Sequence, residues 1–294
     1  MADGNGLGMG KRQIRLKEME ANLDTAYTPS PDYRAKVDSS LGLGPFRTRT
    51  DSDGFIKTGN DTTGYAKSIF ILGASFVESL YAPENVRFVA GVEKLFLEAG
   101  KPIRCLNGGY SGSTSLQLLN VVVNKIAPLI DPQDWVVFFV PQSDADSLLT
   151  EHSYWNANER STPVVPGKQP PKPFHLNGVE ATRAILRTTA AAARELKINL
   201  AFATCPFRQS DYELDPILQN IYSNERKFNR AREVRTALID VTRETAKELG
   251  VPLIDVKIDQ DGEYFYDEVH LNEPGQLHFA QLLNLELVEK LKIS

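Results

Sequence analysis

Ile69-Phe70-Ile71-Leu72 is a short apolar run that stops at Gly73, and this pattern leaves little choice of fold. A run this short, with no polar alternation, reads as a strand buried on both faces, as strands are in parallel sheets. The same signal recurs along the chain. Strands are expected over residues 68–72, 103–106, 135–140, 199–204 and 251–256. Helical spacing of apolar residues follows each of them, over 84–98, 115–130, 178–196, 224–249 and 273–291. Gly100 and Gly250 stop two of these helices, and Pro274 sits in the first turn of the last. Five strand–helix repeats imply an α/β fold: a doubly wound, five-stranded parallel sheet in a three-layer α/β/α sandwich, of flavodoxin-like type.

The 294 residues suffice for one large α/β domain with a full core. That domain is assigned to 51–294, after an arm over 1–50. In the arm, 11–23 reads as a short charged helix and 28–38 as a proline-bearing connector. The arm carries no chemistry of its own. It is expected to lie over the domain or against a partner subunit in a homo-oligomer. Segment 151–177 interrupts the alternation with Pro, Ser, Asn and charge. It contains Tyr154 and Trp155, and a loop this long is read either as a lid or as plain surface. The arginines 226, 230 and 235 on the fourth helix read as a solvated face.

Composition excludes several classes. The net charge of −5 argues against a general nucleic-acid binder. No apolar run reaches membrane-spanning length. The first 24 residues are polar and lack a signal-peptide core, so a cytoplasmic protein is expected. Cys105 and Cys205 are the only cysteines, read as buried free thiols. No cysteine cluster of metal-binding type occurs, and neither metal nor cofactor is expected.

Open α/β sheets place their ligands outside the carboxyl ends of the strands. Ser75 falls there, two residues after Gly73. Acyl transfer needs an activated oxygen, a base near neutral proton affinity, an acid behind the base and donors for the oxyanion. Ser75 supplies the oxygen. His270 can be the base. Asp267 lies three residues before it, a spacing that lets the carboxylate hold one ring nitrogen while the other faces Ser75. The backbone N–H groups of Ser75 and Gly112 are candidate oxyanion donors. His152, His175 and His278 read as structural.

Four segments in this order resemble the SGNH (GDSL-type) hydrolases. Ile71-Leu72-Gly73-Ala74-Ser75-Phe76-Val77-Glu78-Ser79 resembles the nucleophile block, with the nucleophile on Ser75. Asn107-Gly108-Gly109-Tyr110-Ser111-Gly112-Ser113-Thr114 resembles the glycine block, with the oxyanion glycine on Gly112. Asp267-Glu268-Val269-His270-Leu271-Asn272 resembles the final block, and Glu273-Pro274-Gly275-Gln276 continues it. Two positions depart from the family pattern. Ala74 stands where the aspartate before the serine is usual. The third block reads Val140-Pro141-Gln142-Ser143-Asp144, so Ser143, or Gln142 beside it, replaces the usual oxyanion asparagine. The resemblance implies a serine esterase or acyl-ester hydrolase. Its substrate would be a small-molecule or carbohydrate ester, such as an O-acetylated sugar. Two alternatives are an O-acyltransferase with the same triad and a degenerate member that binds ligand without turnover. A nucleotide binder fits the strand order, but 108–114 has no lysine and makes a poor phosphate loop.

Overall fold

The computed structural model describes residues 13–60, 63–155, 164–165, 175–258 and 262–293. The chain begins with short elements: β1 (Gln13–Ile14), β2 (Asp24–Tyr27), α1 (Pro31–Arg34) and β3 (Phe46–Arg49). The domain follows as β4 (Lys67–Gly73), α2 (Ser75–Glu78), α3 (Phe88–Glu98), β5 (Ile103–Gly109), α4 (Ser115–Val121), β6 (Trp135–Phe139) and α5 (Asp144–Leu149). It is completed by β7 (Val164–Val165), α6 (Gly178–Glu195), β8 (Asn199–Ala203), α7 (Pro216–Ile221), α8 (Glu225–Leu249), β9 (Leu253–Ile254) and α9 (Glu273–Leu291).

The core sheet has the order β5-β4-β6-β8-β9, and every pairing is parallel. Strand β4 is buried on both faces, with Ile69, Ile71 and Leu72 fully enclosed. Its alternate residues feed two cores. Ile69 and Ile71 pack with Val137, Phe139 and residues of α3 and α9 such as Phe88 and Phe279. Phe70 and Leu72 pack with Phe138, Leu118, Leu186 and Leu238, from β6, α4, α6 and α8. This is the three-layer α/β/α sandwich expected from the strand–helix alternation. The chain leaves β4 for β5 on one side and returns to β6 on the other, so the strand order reverses beside β4. A crevice opens at such a reversal.

Several elements differ from expectation. The segment 84–86 is a turn, closed by the Val86 N–H on the Pro83 carbonyl, and α3 starts only at Phe88. Helix α4 passes at Val122 into a π-helical stretch ending at Ile126. The fifth strand is reduced to Leu253–Ile254. No helix occupies 13–23, where β1 and loop stand instead. Residues 14–22 bury little besides Met19, so no apolar face pays the cost of starting a helix. The β1 strand pairs antiparallel with β7, which joins the arm to the 151–177 insertion. At the described start of that insertion Tyr154 is fully buried against Ala181 and Ile185. Its hydroxyl lies 2.9 Å from Thr182 Oγ1. Residues 156–163 and 166–174, on which the lid expectation falls, lie outside the described residues.

Arm residues 24–42 are fastened to the domain. The β2–β3 hairpin runs antiparallel, and buried Arg87 donates to the Arg47 carbonyl and to Thr48 Oγ1. Beyond α1, the Asp38 N–H donates to the Tyr266 carbonyl at 2.6 Å. Asn220 reaches the Ala35 carbonyl and Asn272 reaches Ser40 Oγ. Among the described residues no helix is long and apolar enough to cross a membrane, and no group of three or more His, Cys, Asp or Glu is placed to hold a metal. Both cysteines are buried and free.

Candidate active site

Ser75 is the first residue of α2, directly beyond the carboxyl end of β4. A serine at a helix start usually caps it through its own side chain. Here the N-cap position is Ala74, which has no capping side chain, and the Ser75 hydroxyl turns elsewhere. Its Oγ lies 2.8 Å from His270 Nε2. His270 Nδ1 lies 2.7 Å from Asp267 Oδ2. The three side chains predicted from the sequence are therefore linked in series.

The geometry of the last pair comes from its loop. An antiparallel bridge between Phe265 and Leu271 pinches the chain ahead of α9, and the Tyr266 N–H donates to the His270 carbonyl at 3.0 Å. Within this hairpin Asp267 Oδ1 accepts from the N–H groups of Val269 and His270, at 2.8 and 2.7 Å. That self-capping turns Oδ2 toward the ring of the residue three positions on. Tyr266 stacks parallel to the His270 ring, with centroids 5.6 Å apart.

Burial alone would raise the Asp267 pKa. The His270 charge, its ring hydrogen bond and the two backbone N–H donors outweigh burial and hold Asp267 at about 2. For His270, burial works against the cation, but the Asp267 charge and hydrogen bond prevail, and its pKa stands above the ordinary histidine value. A second carboxylate acts on His270 through its charge. Glu78, at the end of α2, is only 3% exposed. It accepts a very short hydrogen bond from Ser111 Oγ. Burial raises its pKa despite that bond and the nearby His270 and Arg87 charges.

Close packing brings the glycine block to the nucleophile. A Cβ on Gly109 would sit 2.2 Å from the Glu78 nitrogen, so only glycine lets β5 approach α2 this closely. Asn107 Nδ2 donates to the Val77 carbonyl at 3.0 Å, and Asn107 Oδ1 accepts from the Gly109 N–H. Gly112 has φ +72°, a left-handed turn that a side chain would strain. The N–H groups of Ser75 and Gly112 have no backbone acceptor among the described residues.

The two side chains predicted to replace the oxyanion asparagine are engaged elsewhere. Gln142 Nε2 donates to the Cys205 carbonyl at 2.8 Å, and its Oε1 accepts from Arg235. The Ser143 hydroxyl donates to the Ser113 carbonyl in a very short hydrogen bond. Both bonds tie the third block to neighbouring loops; the Ser143 bond uses its single hydroxyl hydrogen, whereas Gln142 spends one of its two amide hydrogens. Asp144, fully buried, makes a parallel link by accepting from the Ser115 N–H and hydroxyl.

The solvated-face reading holds for Arg230 but not for Arg235. Arg235 forms a bidentate pair with Glu268 at 2.9 and 2.7 Å, with both side chains mostly buried. Glu268 also accepts from Tyr222 at 2.6 Å. Sequence reasoning also missed Tyr33, Glu78 and the full part played by Gln276. Gln276 accepts from the Phe88 N–H and donates to Ser79 Oγ, tying α9 to the end of the nucleophile turn. Its place in the family-like continuation after His270 was the available signal. His278 stacks on Tyr264 at 4.6 Å, and His152 is buried at the start of the 151–177 insertion.

No protein-family profile matches the sequence, and no curated protein matches it. Solved structures do match. LAE5, an α/β hydrolase enzyme from the metagenome of Lake Arreo, Spain, superposes with TM-score 0.51 at 17% identity, covering 80% of this chain and 99% of its own. A catalytic mutant of Axe2, an acetylxylan esterase from Geobacillus stearothermophilus, gives 0.51 at 16% identity, covering 77% and 96%. The lipase/acylhydrolase from Enterococcus faecalis gives 0.50 at 15% identity, covering 75% and 95%. At such identities the likeness speaks to fold alone: the chain shares the three-layer α/β/α architecture of these hydrolases.

Proposed function

We propose that the chain is a serine ester hydrolase with Ser75 as nucleophile, His270 as general base and acid, and Asp267 as the group that orients His270. One observation carries the reading: the unbroken series Ser75 Oγ, His270, Asp267, at 2.8 and 2.7 Å. Ser75 Oγ attacks the acyl carbon while its proton passes to His270 Nε2. Asp267, ionised at neutral pH, keeps the Nδ1–H tautomer in place and balances the imidazolium charge. The carbonyl electron pair moves onto oxygen, and the N–H groups of Ser75 and Gly112 are its donors. Collapse breaks the ester C–O bond, and the alcohol leaves with the proton from His270. Water then attacks the acyl-serine by the same proton path, releasing the acid and restoring Ser75.

An O-acetyl group on a carbohydrate is the substrate class the reading favours. Acetylxylan esterases stand among the similar folds. Phe76, Tyr81, Tyr266 and Leu271 also crowd the surroundings of Ser75. A binding protein without turnover draws on a different observation, the commitment of Gln142 and Ser143 to neighbouring loops. Losing one oxyanion donor costs about 10²–10³ in rate, which slows an enzyme of this type without stopping it. Hydrolysis of a short activated acetyl ester by the protein and by Ser75→Ala separates the two. The esterase reading expects turnover that Ser75→Ala abolishes. Equal rates in both proteins, or none in either, reject it.

A further inference from the structure

The first 50 residues promised no chemistry, yet one of their side chains touches the proposed orienting acid. Tyr33, on α1, donates its hydroxyl to Asp267 Oδ2 at 2.9 Å. Oδ2 is also the atom that His270 Nδ1 approaches at 2.7 Å. Asp267 thus has four donors around it: Tyr33 Oη and His270 Nδ1 on Oδ2, and two backbone N–H groups on Oδ1.

The phenol is held for this task from several sides. Its ring lies 5.6 Å from the Tyr81 ring. Helix α1 starts from a Ser30 cap, whose Oγ accepts from the Tyr33 N–H. Arg34 next to it donates to the Gly42 carbonyl at 2.8 Å, folding the following loop back on the helix. The Asp38–Tyr266 backbone bond clamps that loop to the residue before Asp267.

We infer that Tyr33 is a positioning residue of the proposed site, and that the N-terminal arm is thereby an integral part of it. The inference rests on the esterase reading for its kinetic consequence, but the Tyr33–Asp267–His270 coupling exists without it. Two effects follow from the geometry. The hydroxyl fixes the rotation of the carboxylate, so that Oδ2 stays on the His270 Nδ1–H axis. It also draws negative charge from Oδ2, which makes that oxygen a weaker partner for the imidazolium.

The other groups facing this pair set the background. Glu78 from α2 favours the His270 cation, and Arg235 from α8 opposes it. Arg235 is itself held by Glu268. Tyr81 packs beside Tyr33, and Tyr266 stays protonated: burial, with the Asp267 charge, drives it well above the usual phenol range. Burial and Asp267 likewise push Tyr33 far up, so it remains a donor across the working range. Loss of its hydroxyl therefore leaves Asp267 more negative toward His270, and the base becomes harder to deprotonate.

Tyr33→Phe keeps the ring and removes the hydroxyl. The expected result is a fall in kcat of roughly tenfold, a part of what a hydrogen bond to a charged group is worth. The acid limb of the kcat/KM profile should also move to higher pH. Arg34→Ala is the control, since it frees the Leu41–Gly42 loop while leaving the Tyr33 hydroxyl on Asp267. It should lower thermal stability and leave the limb in place. A limb that does not move in Tyr33→Phe, or moves equally in Arg34→Ala, overturns the inference while leaving esterase activity intact. The His270 ring titration, followed by NMR, needs no turnover. An upward shift in Tyr33→Phe supports the coupling even if the protein hydrolyses no ester, and an unchanged titration overturns it.

Discussion

Two loops bring a carboxylate to the same histidine, and they treat it in opposite ways. The loop before α9 gives Asp267 four donors and a cation, and its pKa falls to about 2. The nucleophile turn gives Glu78 only the hydroxyl and backbone N–H of Ser111, and its pKa rises. Both side chains are largely buried. Burial alone therefore does not decide a carboxylate's charge; the count of donors and a cation in direct hydrogen-bond contact do. Asp267 is equipped to stay ionised and balance His270. Glu78 is equipped to clasp Ser111 and so hold the Gly112 turn against α2.

The comparison breaks first at Asp267. Asp267→Asn keeps the shape but supplies an amide where His270 needs an anion. Turnover should fall by about 10³–10⁴-fold, measured as kcat on an activated acetyl ester. A loss under tenfold would show that Asp267 does not orient the base. Glu268, next in sequence, tests what a carboxylate gains from an arginine. Arg235→Met leaves it buried with only the Tyr222 hydroxyl, at a cost of about 3–5 kcal/mol in urea unfolding. Glu268→Gln in the same chain should recover much of that loss.

The pH dependence of stability separates Asp267 from Glu78 by sign. The folded pKa of Asp267 lies below its ordinary 3.8, at about 2. It contributes roughly 2 kcal/mol above pH 3.8, which is lost as pH falls through 2. The folded pKa of Glu78 is raised, so its contribution is full below the ordinary value and is lost as pH rises through the folded one. Urea unfolding across pH should show Asp267→Asn flattening the acid side of the curve. Glu78→Gln should raise stability on the neutral side, by less than about 2 kcal/mol. The same variant should move the acid limb of kcat/KM to lower pH, because Glu78 supports the His270 cation. That direction is opposite to the one expected for Tyr33→Phe.

The parts legible in the sequence were those encoded locally. An apolar run ended by glycine announces a buried strand, and Asp-x-x-His announces a turn that folds a carboxylate onto a ring. Tyr33 was not legible, because the residue it meets lies 234 positions away and nothing in its own helix marks the contact. Arg235 was misread for a related reason. Helical spacing shows its side of α8, but only the fold brings Glu268 there. The third block was legible as a position and not as a geometry. Sequence names Gln142 and Ser143 as donors, while packing gives the Ser143 hydroxyl hydrogen to Ser113 and one of the two Gln142 amide hydrogens to Cys205. The helix expected at 11–23 has Leu16, Met19 and Leu23 at helical spacing, but the fold buries only Met19 of the three.

The central claim is that Ser75 is a nucleophile made reactive by His270. A serine-reactive phosphonate tests it directly, because it needs no knowledge of the natural ester. The account predicts one covalent adduct per chain, mapped by mass spectrometry to Ser75, and its loss in His270→Ala. An intact Ser75 after prolonged exposure, or equal labelling in His270→Ala, would contradict it.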